Sequence, residues 1–272
     1  MYTAYWRLKR RPFDSDCDPA FYYPGESHQA ALLKLRYVVE NRQGGGVLAG
    51  PAGSGKTLLL AMLRAMLAER LGPWVHLVYP QMPSHELLAW LAGQLTGSSP
   101  PTSLSIAQSL GRIEQSLHDH ARQGRHAVLV IDEAHLLDDA DVLEALRLLM
   151  NFQWEGRGCL TLLLAGQVRL LPLLDRTPPL EERLAVRCLL RPFNEAETAA
   201  YVAHRLRVAG CDRPVFDAEA LGTLHYLSAG IARRINRLCD LALLIGFAEE
   251  QGSISSAHLE AISQELAAVV PE

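Results

Sequence analysis

No stretch of this chain approaches the ~20 consecutive apolar residues that a membrane-spanning helix needs. The segment Leu238–Ala248 is apolar but too short, and it reads as a buried helix. The start, Met1 to Phe13, lacks the apolar run of a secretory signal. Cysteine is scarce: Cys17, Cys159, Cys188, Cys211 and Cys239 make an odd count, and none pairs at metal-ligand spacing. A disulfide framework is thereby disfavoured, and a reduced, cytoplasmic chain is predicted. The histidines His76, His118, His120 and His225 have no metal-ligand spacing either. Charge of one sign is also lacking, with Lys+Arg 26 against Asp+Glu 30 and a net charge of −4. That balance excludes the overall electrostatic footprint of an obligate nucleic-acid binder but leaves room for a local basic patch. There is no repeat of fixed period and no low-complexity tract. Only Gly97–Ser103 resembles a linker, and it does not divide the chain into independent halves.

What is present is an ordinary globular composition, 49% apolar and 21% charged over 272 residues. Short apolar runs at Gly46–Ala49, Trp74–Tyr79, Ala127–Ile131, Leu160–Ala165 and Val186–Leu190 alternate with helical patterns. Ile106, Leu110, Ile113 and Leu117 share one helical face, and Val142, Leu143, Leu146, Leu149 and Met150 share another. This alternation predicts an α/β fold with a parallel five-stranded sheet. After Pro192 the strand signals stop. Asn194 with Glu197 spells a capping box, Gly210 closes that helix, Asp217 and Ser256 are cap candidates, and Gly230 separates two helices. The expected division is an N-terminal extension packing on the core over 1–43, an α/β core over 44–192 and a helical lid over 193–272.

The segment Gly50-Pro-Ala-Gly-Ser-Gly-Lys-Thr57 fits the P-loop pattern GxxxxGK[ST] between a predicted strand and an apolar helix, Leu58–Leu67. Its glycines let backbone N–H groups curl around phosphate oxygens at a helix N-terminus. Residues expected against ATP are Gly50, Pro51, Ala52, Gly53, Ser54, Gly55, Lys56, Thr57 and Leu58. Lys56 is expected to reach the β- and γ-phosphates and Thr57 to ligate Mg²⁺. The run Val128-Leu-Val-Ile-Asp132-Glu133 delivers two carboxylates at the C-terminal end of a strand, where α/β sheets place ligands. Asp132 is the expected second Mg²⁺ residue, and Glu133 the group that orients and polarises the attacking water. Asp132-Glu-Ala-His135 also spells a helicase motif, but the chain is too short for two RecA-like domains.

These motifs stand among others. Arg11-Pro-Phe13, Asp18-Pro-Ala-Phe-Tyr-Tyr23 and His28 precede the P-loop. Leu146–Asn151, Ala165-Gly-Gln167, Glu182-Arg-Leu184, Tyr201–Gly210 and Gly230–Asp240 follow it. Over nearly its whole length the chain resembles the general secretion pathway protein A (ExeA-like) family of AAA+ ATPases. In length and layout it is most similar to that family's MSHA-type pilus biogenesis ATPases, and it is also related to TniB-type transposition ATPases. The resemblance implies that Gln167 is a γ-phosphate sensor at the end of the fourth strand. It implies that Arg183, with Arg187 as rival, is an arginine finger acting in trans. Arg233, with Arg234 as rival, would clamp the γ-phosphate from the lid. His135 stands where the family has Gln, and Ala232 where it has Pro; the lost Pro implies a looser start to the Arg233 helix. The full secretion proteins continue into a membrane span and a peptidoglycan-binding domain. This chain stops at Glu272, so direct cell-wall binding is not expected.

The activity so implied is ATP hydrolysis that drives or switches assembly of a bacterial envelope machine, a type II secretion system or a type IV pilus. The implied site is cytoplasmic or peripheral at the inner membrane. Partners would be further copies of the chain, in a nucleotide-dependent ring or filament, and envelope assembly proteins. Two alternatives share the same core: an ATP-dependent DNA-binding transposition regulator and an exosortase-associated polysaccharide-export ATPase. The aromatic segment Tyr5 to Tyr23 is a candidate to pack beside adenine, with ordinary core packing as the alternative. Arg112, Arg122, Arg125 and Arg157 are candidates for a basic pore or for dispersed surface charge.

Overall fold

A computed structural model describes residues 2–14, 16–68, 71–97 and 104–268. Of the linker-like stretch Gly97–Ser103, residues 98–103 lie outside the described residues. The chain forms two compact units. The sheet unit comprises Gln29–Gly50 and Leu60–Leu190, and the helical unit comprises Met1–His28, Pro51–Leu59 and Arg191–Glu272.

In the sheet unit, strands β1 (Gly45–Ala49), β2 (Leu71–Leu77), β3 (His126–Ile131), β4 (Leu160–Gly166) and β5 (Leu184–Leu189) form one sheet. Their spatial order is β2-β3-β4-β1-β5, and every pairing is parallel. All five predicted strands are present. β1, β3 and β4 are buried at every position, as parallel strands covered on both faces require, whereas the edge strand β5 exposes Ala185, Arg187 and Leu189. Register brings the C-terminal ends of three strands to one side: Ala49 pairs with Gly166, and Ile131 with Leu164. The run Trp74–Tyr79 ends as a strand at Leu77, whose carbonyl accepts the Asp132 N–H at 2.8 Å. Val78 and Tyr79, past the last ladder partner, are exposed. A two-residue hairpin, Gln153–Trp154 against Arg157–Gly158, was not predicted; Glu155 and Gly156 make its turn with φ of +50° and +74°.

The sheet packs with helices α3 (Ser84–Thr96), α4 (Ile106–Arg122) and α5 (Ala140–Leu149) in one apolar core. The predicted stripe on α5 is buried throughout. On α4 it starts at Leu110, because Ile106 in the first turn is 50% exposed.

The helical unit holds α6 (Glu195–Val208), α7 (Ala218–Ser228), α8 (Ala232–Ala248) and α9 (Ser256–Ala268). Asn194 and Glu197 form the expected capping box, Gly210 follows α6 at φ +91°, and Asp217 accepts the Ala220 N–H. The cap of α9 is one residue earlier than expected. The Ser255 carbonyl accepts the Leu259 N–H, while Ser256 is already helical.

The N-terminal extension divides differently from the expected 1–43 boundary. Residues 2–28 belong to the helical unit, and only the following residues join the sheet unit. Tyr2, Trp6, Phe13 and Phe21 are buried in one core with α6, α7, α8 and α9. The Trp6 indole N–H donates to Leu243 O at 2.8 Å. Buried Arg205 donates to the Pro12 and Asp14 carbonyls and to the Tyr201 hydroxyl. Four helices without this segment would leave those faces wet, so the aromatics complete the core of the helical unit. Among the described residues no helix is long and apolar enough to cross a membrane.

Trp6 is fully buried and spends its one polar atom on a carbonyl. Replacing it with Ala should destabilise the helical unit by about 3–5 kcal/mol. The midpoint of urea unfolding, followed by far-ultraviolet circular dichroism, measures this; an unchanged midpoint would mean that the segment is not part of the lid core.

Candidate functional site

Residues 50–55 connect β1 to helix α2 (Lys56–Leu67), the helix after α1 (Glu26–Glu40) in chain order. Gly53 and Gly55 have φ of +77° and +91°, conformations that side chains rarely adopt. A Cβ on Gly53 would also lie 2.6 Å from the Arg233 Cβ. The loop ends at a helix whose first turn carries no acidic residue, so its N-terminal dipole is left for an anion. Lys56 is buried, and its Nζ donates to Pro51 O at 2.9 Å. Ser54 Oγ is buried with no hydrogen-bond partner among the described residues. A buried ammonium, an orphaned buried hydroxyl and two left-handed glycines at a helix start fit the phosphates of a nucleotide.

The carbonyls of this loop are held from outside it. Gly53 O accepts the Arg233 N–H at 3.0 Å, and Ser54 O lies 2.8 Å from His28 Nε2. The first of these explains a local oddity of α8. Its N-cap, Ile231, has no side-chain acceptor, yet the Arg233 N–H in the first turn is satisfied, by the loop. Arg233, whose Cβ abuts Gly53, is the arginine beside the P-loop. The Arg234 N–H bonds instead to Ile231 O.

In the sheet unit, Asp132 and Glu133 follow β3. Asp132 is 4% exposed, and its Oδ1 accepts the Glu133 N–H at 2.9 Å. His76 Nε2 lies 3.5 Å from Asp132 Oδ2, too long for a good hydrogen bond. Glu133 takes φ +50° and ψ +31°, a left-handed conformation that costs a non-glycine residue of order 1–3 kcal/mol. Its side chain is 46% exposed. Gln167 directly follows β4, and its N–H donates to His135 Nδ1 at 3.2 Å. An N–H can only donate, so His135 Nδ1 carries no proton. The Glu133 oxygen 3.3 Å from that nitrogen then faces a lone pair and is not held in an ion pair.

The two finger candidates differ sharply. Arg187 is bound to Asp175 and Glu181, both at 2.9 Å. Half-buried Arg183 makes no side-chain hydrogen bond or ion pair among the described residues, while its carbonyl accepts the Gly45 N–H.

Two histidines beside these motifs were not predicted as site residues. His76 has no metal-ligand spacing in the sequence to mark it. His28 lay within the family-like stretch, which was the available signal. Within the aromatic segment from Tyr5 to Tyr23, Trp6, Phe13 and Phe21 lie in the helical core, and partly buried Tyr23 packs edge-on to Phe193 and Tyr201.

A family model described as an AAA domain matches residues 39–174. The general secretion pathway protein A of Aeromonas hydrophila is 33% identical over 277 aligned positions, covering all of this chain and 50% of that protein. The chain thus spans about half the length of this curated relative. Among solved structures, the ORC1 protein of Aeropyrum pernix in complex with DNA superposes with a TM-score of 0.71. It has 18% identity, and the match covers 95% of this chain and 69% of that one. The RuvB Holliday junction branch migration motor of Thermotoga maritima superposes at 0.61, with 20% identity over 89% of this chain and 69% of its own. At such identities the superpositions establish the fold: a parallel-sheet core with a helical lid.

Gly53→Ala should cost about 1–3 kcal/mol and abolish nucleotide binding, because it meets both the left-handed backbone and the Arg233 Cβ. Gly97→Ala is the control. It has φ +65° and nothing within 4 Å of an added Cβ, so it should cost only about 1–2 kcal/mol and leave binding intact. Thermal melts with and without ADP distinguish the two, and equal behaviour would remove Arg233 as the reason for Gly53.

Proposed function

The chain belongs to the AAA family of P-loop ATPases, and from that premise we propose that it hydrolyses ATP to switch a macromolecular partner. The observation that carries this reading is the P-loop, with its left-handed glycines, buried Lys56 and outward-held carbonyls. Lys56 holds the β- and γ-phosphates, and Thr57 and Asp132 are the side chains for Mg²⁺. When bound, the cation supplies neutralisation of the charge that develops on the phosphate oxygens. Glu133 orients the attacking water and takes up its proton, a task open to a carboxylate not tied to His135. Gln167 reports the γ-phosphate by a hydrogen bond, and Arg233 clamps it. Arg183 serves a neighbouring copy as arginine finger. Arg187, already engaged by two carboxylates, is the weaker candidate because a finger must be available to phosphate.

For the partner, DNA has the wider support. Of the two solved relatives named above, ORC1 is in complex with DNA and RuvB is a Holliday junction branch migration motor. Assembly of an envelope machine, pilus or secretion system, is the second reading. It is favoured by the relative that matches along the whole chain.

Lys56→Ala and Glu133→Gln should each lower ATP turnover at least about 100-fold. Wild-type turnover in both would sink the hydrolytic reading. Mixing Arg183→Ala with Lys56→Ala should restore part of the rate if the finger acts in trans, and Arg187→Ala should need no such rescue. The Glu133→Gln protein in ATP should be retained on duplex DNA at low salt and released as salt rises. No retention at low salt would reject the DNA partner, and pull-down with the same variant would then test envelope proteins.

A further inference from the structure

His28 is 4% exposed and lies 2.8 Å from a P-loop carbonyl, that of Ser54. A carbonyl only accepts, so His28 Nε2 carries the proton. Nδ1, 3.4 Å from Ser27 Oγ, is then the lone-pair nitrogen. The ring is held in that orientation. It lies 5.1 Å from the Phe193 ring at an interplanar angle of 32°. Gly25 admits both rings, since a Cβ there would sit 2.9 Å from Phe193 and 3.4 Å from His28 Nδ1. Phe193 is itself fixed by its N–H to Gly230 O at 2.9 Å. Burial lowers the pKa of His28, which keeps the ring in its neutral, single-donor form.

The consequence for the loop follows from peptide geometry. In a planar trans peptide the C=O and the next N–H point in opposite directions. With Ser54 O turned to His28, the Gly55 N–H must point the other way. That N–H has no hydrogen-bond partner among the described residues. Gly55 sits at φ +91°, and glycine lets the peptide before it turn over at little steric cost. The loop's own residues therefore leave the direction of this peptide open. Turned over, it would present an oxygen rather than a hydrogen to a phosphate. A donor on Ser54 O also polarises the peptide and strengthens the Gly55 N–H as a donor.

We propose that His28 is a positioning residue for polyphosphate binding: its Nε2–H bond to Ser54 O locks the Ser54–Gly55 peptide with the N–H toward the phosphates of a nucleoside di- or triphosphate. This rests on the P-loop being the nucleotide site. His28 touches no substrate and acts only through the backbone it holds.

The experiment uses the full chain with Mg²⁺ and measures ADP affinity by calorimetry and the kcat and KM of ATP turnover. The proteins compared are wild type, His28→Phe, His28→Ala, His28→Gln and Lys56→Ala. His28→Phe keeps a ring against Phe193 without the donor. It should raise KM and the ADP Kd about tenfold while kcat stays within about threefold. His28→Ala should do the same. His28→Gln, whose amide reaches the same carbonyl, should return both constants to within about threefold of wild type. Wild-type KM in His28→Phe, or no recovery in His28→Gln, overturns the proposal. If Lys56→Ala loses ADP while the His28 variants do not, the positioning role alone fails. If Lys56→Ala binds ADP like wild type, the P-loop reading fails and takes the proposal with it.

Discussion

A loop that offers its N–H groups to an anion must turn its carbonyls outward, and those carbonyls then need donors of their own. Much of the helical unit can be understood from this requirement. Pro51 O receives Lys56 Nζ, Gly53 O receives the first-turn N–H of α8, and Ser54 O receives His28. Each donor brings its own support. α8 begins without a side-chain cap because the loop caps it. His28 is pressed into place by Phe193, which Gly230 anchors. The N-terminal segment reaches the lid core through Trp6, Phe13 and Phe21, so the stretch that leads to His28 is anchored in that core.

The sheet unit uses a different device. Buried β3 ends at Ile131, Asp132 follows it, and Glu133 takes a left-handed turn with its side chain 46% exposed. The Asp132 carboxylate bonds to the Glu133 N–H that the turn would otherwise leave bare. His135 ties the end of β4 to this turn through its lone-pair nitrogen, and Gly166 is small because the His135 ring lies 3.1 Å from where a Cβ would be. A carboxylate that is strained, half-exposed and, among the described residues, not ion-paired suits a residue that must meet water. Arg183 and Arg187 show the same contrast between a side chain left available and one consumed by structure.

Much of this was legible beforehand for local reasons. Buried parallel strands announce themselves as short apolar runs, capping boxes as Asn194 with Glu197, and the phosphate loop as glycines at fixed spacing. The misses share a cause. The hairpin at Glu155-Gly156 uses a turn whose first residue is not a typical left-handed one. The N-terminal aromatics look the same whether they face a base, a sheet or a lid. His76 and His28 are each one histidine in a stretch with no spacing to mark them, and their neighbours lie 56 and 26 positions away.

The sequence by itself determined the element types, the phosphate loop and the pair of acids, because each depends on contacts within a few residues. The tertiary structure alone decided which groups hold that loop open. It brought Arg233 to Gly53 and His28 to Ser54, and among the described residues it left the Arg183 side chain without a hydrogen bond or ion pair while closing Arg187 into two ion pairs. The P-loop glycines permit several backbone directions, and permission is all that local sequence can encode. The chosen direction is a property of donors supplied from more than a hundred residues downstream and from a segment on the other side of a strand.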